Sequence, residues 1–399
     1  MTTRSPLTLG GRVMITQGER LLQFLRAARG PETPAAVLEA VALIVGAGLM
    51  AIGFPISLLA FWGRDLAISG AGSIGAFAAI GGAIAAVIAF ALGRYAVRPV
   101  DQPSDVARDG FSVPGDRLRW YDLAAIAFAH AAIAYLGWIG IAQLLEQAFT
   151  DAPVFGFPGA ILVTVAVALT GYVCFLSAAG LTPMTLSLVL TVFLVIGAFA
   201  SMLASSDVHW WQENLSALGM STNSASRAFN LTLIIAGVMV TTIARYATAG
   251  LPVEEPVDRR GRVVLRAGLI LIGIFLACVG VFPVDQFLPL HNTVATGMCV
   301  AFAVIVVGLP WFLRSIPRVF VVFGWVYVLV IMLLGVFFAT GYYNLTAVEL
   351  IAAILIFSWI IVFLRTAGSI SAPAGSSGET ATGPAATAGA AAGPVASTA

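Results

Sequence analysis

The chain has 399 residues, of which 60% are hydrophobic and 10% charged, and its formal net charge is +1. Soluble domains average about 25% charged residues, so this composition excludes a soluble globular protein and points to a multi-pass membrane protein. All twenty basic residues are arginine, a usage of GC-rich bacterial genomes, and they form no nucleic-acid patch. Cys174, Cys278 and Cys299 all lie in apolar runs, which argues against a disulfide framework or a CxxC metal site.

Residues 1–33 are polar with five arginines. Ile15, Leu21, Leu22, Phe24 and Leu25, with Arg20, Arg26 and Arg29, suggest a short basic amphipathic helix on an anionic inner surface, the alternative being a solvated tail. Ten apolar runs follow, near 35–62, 69–93, 121–148, 157–180, 183–205, 226–249, 266–287, 291–314, 318–341 and 345–365. Each is long enough to cross a hydrocarbon core of ~30 Å at ~1.5 Å per residue. The expected fold is an all-α, polytopic transmembrane helical bundle: four spans in 34–182, six in 183–365, and a tail from 366 to 399. That tail is Ala, Gly, Ser, Thr and Pro, with too little apolar surface to fold. In the second run Ala71, Gly75, Ala79 and Ala83 recur every four positions, a stripe that lets another helix approach closely.

Arginine placement predicts orientation. With the N-terminus in the cytoplasm, eighteen arginines fall in inner segments and only Arg64 and Arg227 in outer ones. This bias puts both termini inside and the protein in the inner (plasma) membrane. Seven acids (Asp65, Glu146, Asp151, Asp207, Glu213, Asp285, Glu349) against two arginines give the outer side a net charge of −5.

Two polar segments interrupt the apolar pattern: DVHWWQENLSALGMSTNSASRAFN at 207–230 and FPVDQFLPLHN at 282–292. Both fall on the outer side. They supply a candidate outer-face polar cluster of His209, Glu213, Asn214, Arg227, Asn230, Asp285 and His291. If 207–218 is an α-helix, His209 and Glu213 share a face, and Asp285 and His291 converge on them from the next loop. Two histidines and two carboxylates could ligate a metal or act as an acid–base pair, but the spacing matches no zinc signature. A satisfied hydrogen-bond and ion-pair cluster, with Arg227 as partner, is the preferred reading, with lipid head-group contact by the same residues as the next; no metal or cofactor is expected. Trp210 and Trp211 are candidate membrane-interface aromatics. His130 is the one intramembrane ionisable residue away from the span ends, either functional or a neutral ring bonded to a carbonyl.

NLSALG at 214–219, SRAFNLTLIIAG at 226–237 and GLILIGIFLACVGVFPVDQFLPLHN at 268–292 resemble an uncharacterised family of bacterial polytopic membrane proteins, a domain of unknown function. Ser216, Leu218, Gly219, Phe229, Asn230, Gly237, Gly280, Phe282, Pro283, Asp285 and His291 carry the resemblance, which covers roughly 183–341. The family is distantly similar to the Frag, DRAM and Sfk membrane proteins. That likeness implies a connection to membrane lipids and no defined reaction.

No phosphate-binding loop, dinucleotide glycine pattern, GxSxG or HExxH is present. Three classes remain: a lipid-associated or regulatory membrane protein with an outward polar cap; a secondary transporter or flippase of a lipid or small amphiphile; and an embedded enzyme acting on outer-leaflet lipids. Membrane lipids are the expected partners and nucleic acid is not; protein partners are undetermined.

Overall fold

The computed structural model describes residues 35–97, 118–220, 224–249, 251, 256–314 and 316–370. The basic N-terminal segment and the tail beyond 370 lie outside them. Among the described residues ten helices are long and apolar enough to cross a membrane. They are α1 (Ala35–Phe61), α2 (Ile74–Ala96), α3 (Trp120–Ala148), α4 (Gly156–Ala179), α5 (Pro183–Leu203), α6 (Ser224–Ala249), α7 (Pro256–Val281), α8 (Val284–Phe312), α9 (Arg318–Ala339) and α10 (Leu345–Ile370). The protein is an integral membrane helical bundle. Its outer faces show large apolar side chains such as Leu59 (76% exposed) and Val319 (80%), a surface that water would penalise and lipid does not.

Local chemistry sets the helix starts. Ser73 Oγ accepts from the Ala76 N–H at 3.1 Å, so α2 starts at Ile74 and not near 69. The residues before it are used otherwise: Asp65–Leu66 (β1) pairs antiparallel with Val154–Phe155 (β2), the only sheet in the described residues. Thr182 and Thr185 form a reciprocal capping box around Pro183, which opens α5. The boundary expected at 287–291 lies instead at Phe282–Pro283. Pro289 falls inside α8, where it has no N–H to give the preceding turn, and Phe287 leaves helical geometry (φ −132°, ψ 40°). At the other extreme α10 continues past Thr366 to Ile370.

The helices pack as two groups. In the first, α4 lies against α1 and α2, and α2 against α3. Close approach is made by small residues: Gly75 meets Ala142 of α3, and Gly93 faces the Phe175 carbonyl of α4. In the second group α5 to α10 follow one another, and α10 returns to α5. Helix α3 joins the groups, packing on α5 and α6; Ile126 and Ala129 of α3 belong to the same buried cluster as Met239, Leu269 and Trp359. At one end of this seam the buried Asp122 carboxylate lies 3.3 Å from the Arg245 guanidinium and accepts the Arg119 N–H at 3.0 Å. Nearby, Arg266 donates to Thr248 and Arg262 to the Ala249 carbonyl. The opposite end carries β1, β2 and two short 3₁₀ turns, Trp210–Gln212 and Leu215–Gly219.

Candidate functional site

The two 3₁₀ turns form a cap over the α6–α7–α8–α10 end of the bundle, and its struts run to three different helices. The first is His291, which is buried at 4% exposure in α8. Its Nδ1 lies 2.7 Å from the Phe282 carbonyl oxygen, which can only accept, so Nδ1 carries the proton. Its Nε2 lies 3.1 Å from Ser216 Oγ in the second turn. The second strut is Glu349, in the first turns of α10. Its carboxylate accepts the backbone N–H of Leu215 at 2.6 Å and that of Ser216, satisfying the donors that open the second turn. The third is Asn230 of α6: its amide nitrogen donates to the Gly219 carbonyl at 3.1 Å, which also accepts from Ser226 Oγ at 2.8 Å. Asn344, at the mouth of α10, donates to the Trp211 carbonyl at 2.9 Å and caps α10 through Ala347.

Of the sequence-predicted cluster, the cap therefore gathers His291 and Asn230 and leaves three members apart. Residues 207–218 are not one α-helix: the chain breaks at Glu213 (φ −94°, ψ −83°) between two 3₁₀ turns. In that geometry positions four apart do not share a face. His209 and Glu213 are exposed, Asp285 is exposed on the first turn of α8, and among the described residues none of these three side chains makes a hydrogen bond or ion pair. No group of three or more His, Cys, Asp or Glu able to hold a metal occurs among the described residues. Asn214 opens the second turn, its side-chain oxygen buried and unpartnered. Trp211 is half exposed on the cap, and Trp210 is partly buried.

His130 repeats the arrangement of His291 within α3. Nδ1 meets the Ile126 carbonyl at 2.8 Å and Nε2 meets Ser177 Oγ of α4 at 2.8 Å. One donated N–H and one filled lone pair are the needs of a neutral imidazole. Glu39 at the start of α1 accepts from the Tyr172 hydroxyl.

On the seam between the helix groups lies a cavity of about 720 Å³ walled by α2, α3, α5 and α6. Its capped end carries Ser69, Ser73, Gln143 and Arg227; its depth is Ala83, Ala131, Ala132, Phe193 and Ile235. Arg227 is thus a wall of this cavity, a place that the loop sequence does not reveal. A second groove of about 570 Å³, between α3, α4 and α5, is almost wholly apolar and passes His130.

Sequence reasoning missed Asn344, Gln143 and the Asp122–Arg245 pair, and it did not bring Ser216, read as a motif residue, or Glu349, read as an outer-side acid, into the cluster. For Glu349 there was a signal: a carboxylate in the fifth position of an otherwise apolar span must find partners.

The fold and cap define a multi-pass membrane protein in which two short polar turns brace one end of a helix bundle. Residues 188–366, from within α5 into α10, match the family described as "Protein of unknown function (DUF998)". That stretch is accordingly a domain of unknown function, and α1 to α4 lie outside the match. No curated protein and no solved structure matches the chain.

Proposed function

We propose that this is a lipid-binding protein of the inner (plasma) membrane, associating with or regulating lipid through the seam cavity, with its polar cap on the outer face. The observation that carries the reading is the cavity itself. It runs lengthwise between two helix groups, polar at the cap and apolar below, which is the polarity profile of a membrane amphiphile. An enzyme acting through His209, Glu213, Asp285 and His291 is less well supported. His291 does orient toward a hydroxyl, as a general base would. Yet the Leu215 and Ser216 amides, the donors nearest Ser216 that could stabilise an oxyanion, are occupied by the Glu349 carboxylate.

Native mass spectrometry tests the reading. Protein extracted in a mild non-ionic detergent is expected to retain a lipid, and Ala228→Trp, which projects an indole into the cavity wall, is expected to lose most of it. Wild-type protein with no lipid beyond detergent, or full retention by Ala228→Trp, overturns it. The position of the cavity on the seam also suits a transporter, since motion of the helix groups would expose it alternately; flip of a fluorescent lipid in proteoliposomes separates carrier from binder.

Orientation is tested separately. Among the described arginines, Arg94, Arg119, Arg245, Arg259, Arg260, Arg262, Arg266, Arg314, Arg318 and Arg365 belong to the end away from the cap, and Arg64 and Arg227 to the capped end. With the native cysteines replaced, a membrane-impermeant maleimide is expected to label Asp207→Cys in intact cells and Pro317→Cys only after permeabilisation. The reverse pattern turns the protein over.

A further inference from the structure

The seam cavity also constrains what kind of amphiphile it can hold. Arg227 is the only charged residue among the described residues that line it, and no carboxylate does. Glu146, the acid closest in sequence to the lining residue Gln143, has its carboxylate engaged by the Ser69 N–H at 3.1 Å. Gln143 brings a buried side-chain oxygen with no partner. Turning that amide through half a rotation presents its NH₂ donors in the same place. The mouth therefore combines a cation with an adaptable amide, a pairing suited to an anionic head group.

Depth and volume set the rest. Along α3 the wall runs from Gln143 to Phe128, fifteen residues or ~22 Å, and along α6 from Arg227 to Ile235, eight residues or ~12 Å, at ~1.5 Å per residue. These depths bracket the ~15 Å that one leaflet contributes to a hydrocarbon core of ~30 Å. The hydroxyl of Thr232 in the wall is already given to the Ala228 carbonyl at 2.7 Å, so it adds little polarity to the throat. At about 720 Å³ the cavity has room for at least one long acyl chain with its head group.

We propose that the cavity takes an amphiphile with a carboxylate or phosphate head, the head at Arg227 and Gln143 and an acyl chain lying between α3 and α5. This rests on the lipid-binding reading above and adds the ligand class. The test uses full-length protein in nanodiscs of zwitterionic lipid and a palmitate bearing a photoactivatable diazirine in its chain. The label is expected on peptides of α3, α5 and α6 that line the cavity. Unlabelled palmitate or monopalmitoyl glycerol phosphate is expected to compete, the stronger of the two identifying the head group; hexadecyltrimethylammonium is expected not to. Arg227→Gln is expected to weaken palmitate competition about tenfold or more, with Arg227→Lys between it and wild type. Gln143→Leu, which leaves the charge in place, is expected to weaken it by a smaller factor and serves if Arg227→Gln does not fold. Equal competition by the cationic amphiphile, an unchanged Arg227→Gln together with an unchanged Gln143→Leu, or label confined to other helices overturns the proposal. So does recovery of a lipid without an anionic head group that Ala228→Trp displaces, although lipid binding then stands. Protein that retains no lipid of any kind ends both.

Discussion

Gly273→Ala is expected to lower the Tm of the detergent-solubilised protein, even though alanine is the better helix former. The reason lies in the α6–α7 seam, where two glycines let backbones touch. A Cβ on Gly273 would stand 2.6 Å from the Gly237 carbonyl oxygen, 2.7 Å from Thr241 Cγ2 and 3.0 Å from the Thr241 amide nitrogen. Two of these are backbone atoms of the neighbouring helix, so relief requires the helices to part. Overpacking of this kind costs about 1–3 kcal/mol, against a propensity gain of about 1 kcal/mol for replacing glycine in a helix. The net effect is destabilising, and Gly273→Leu, with no place for its side chain, is expected to prevent stable assembly. Gly280→Ala belongs to the same class, with the Asn230 carbonyl 2.5 Å from the added carbon. Gly335→Ala is the control: nothing lies within 4 Å of its added carbon, on an exposed face of α9, so its Tm is expected to stay level or rise slightly. If Gly273→Ala behaves as Gly335→Ala does, the two helices are not in backbone contact.

The bundle was legible in the sequence because lipid leaves few options. Every backbone donor in a span must be satisfied within the span, so an apolar run of sufficient length is a helix whatever its neighbours. The α7–α8 boundary was harder, since Pro283 and Pro289 each offer a turn within one short segment, and the chain turns at Pro283 and carries Pro289 inside α8. Arg227 could be read as an outer residue, but its place in a cavity wall could not. That cavity arises from short side chains on four separate helices, and empty volume has no pattern in one dimension. The Asp122–Arg245 bridge was missed for a related reason: its members are 123 residues apart, and each resembles an ordinary charge at a helix end. It ties α3 to α6 at the end of the bundle opposite the 3₁₀ turns.

The cap was half legible, and the illegible half can be tested. His209 and Asp285 read as partners in the sequence because both lie in polar segments between spans and carry complementary chemistry. Proximity in a loop is weak evidence, because an exposed carboxylate gains little from an exposed partner. His291 reads as a member of the same group, and its actual partners are the Phe282 carbonyl, just past the end of α7, and a serine 75 residues away. His291→Ala is therefore expected to be the costlier change. It leaves the Phe282 carbonyl and the Ser216 hydroxyl without their partner, at about 1–3 kcal/mol for each group that stays buried and unsatisfied. It also opens a void at a site only 4% exposed, which adds a packing loss. Ser216→Ala alone leaves one ring nitrogen unpaired and is expected to cost less. In a double-mutant cycle on thermal stability the two should couple by about 0.5–3 kcal/mol, whereas His209→Ala and Asp285→Ala should add within about 0.5 kcal/mol. Additivity of the His291 and Ser216 changes would show that the cap does not hang from α8. Coupling between His209 and Asp285 would restore the loop cluster that the geometry takes apart.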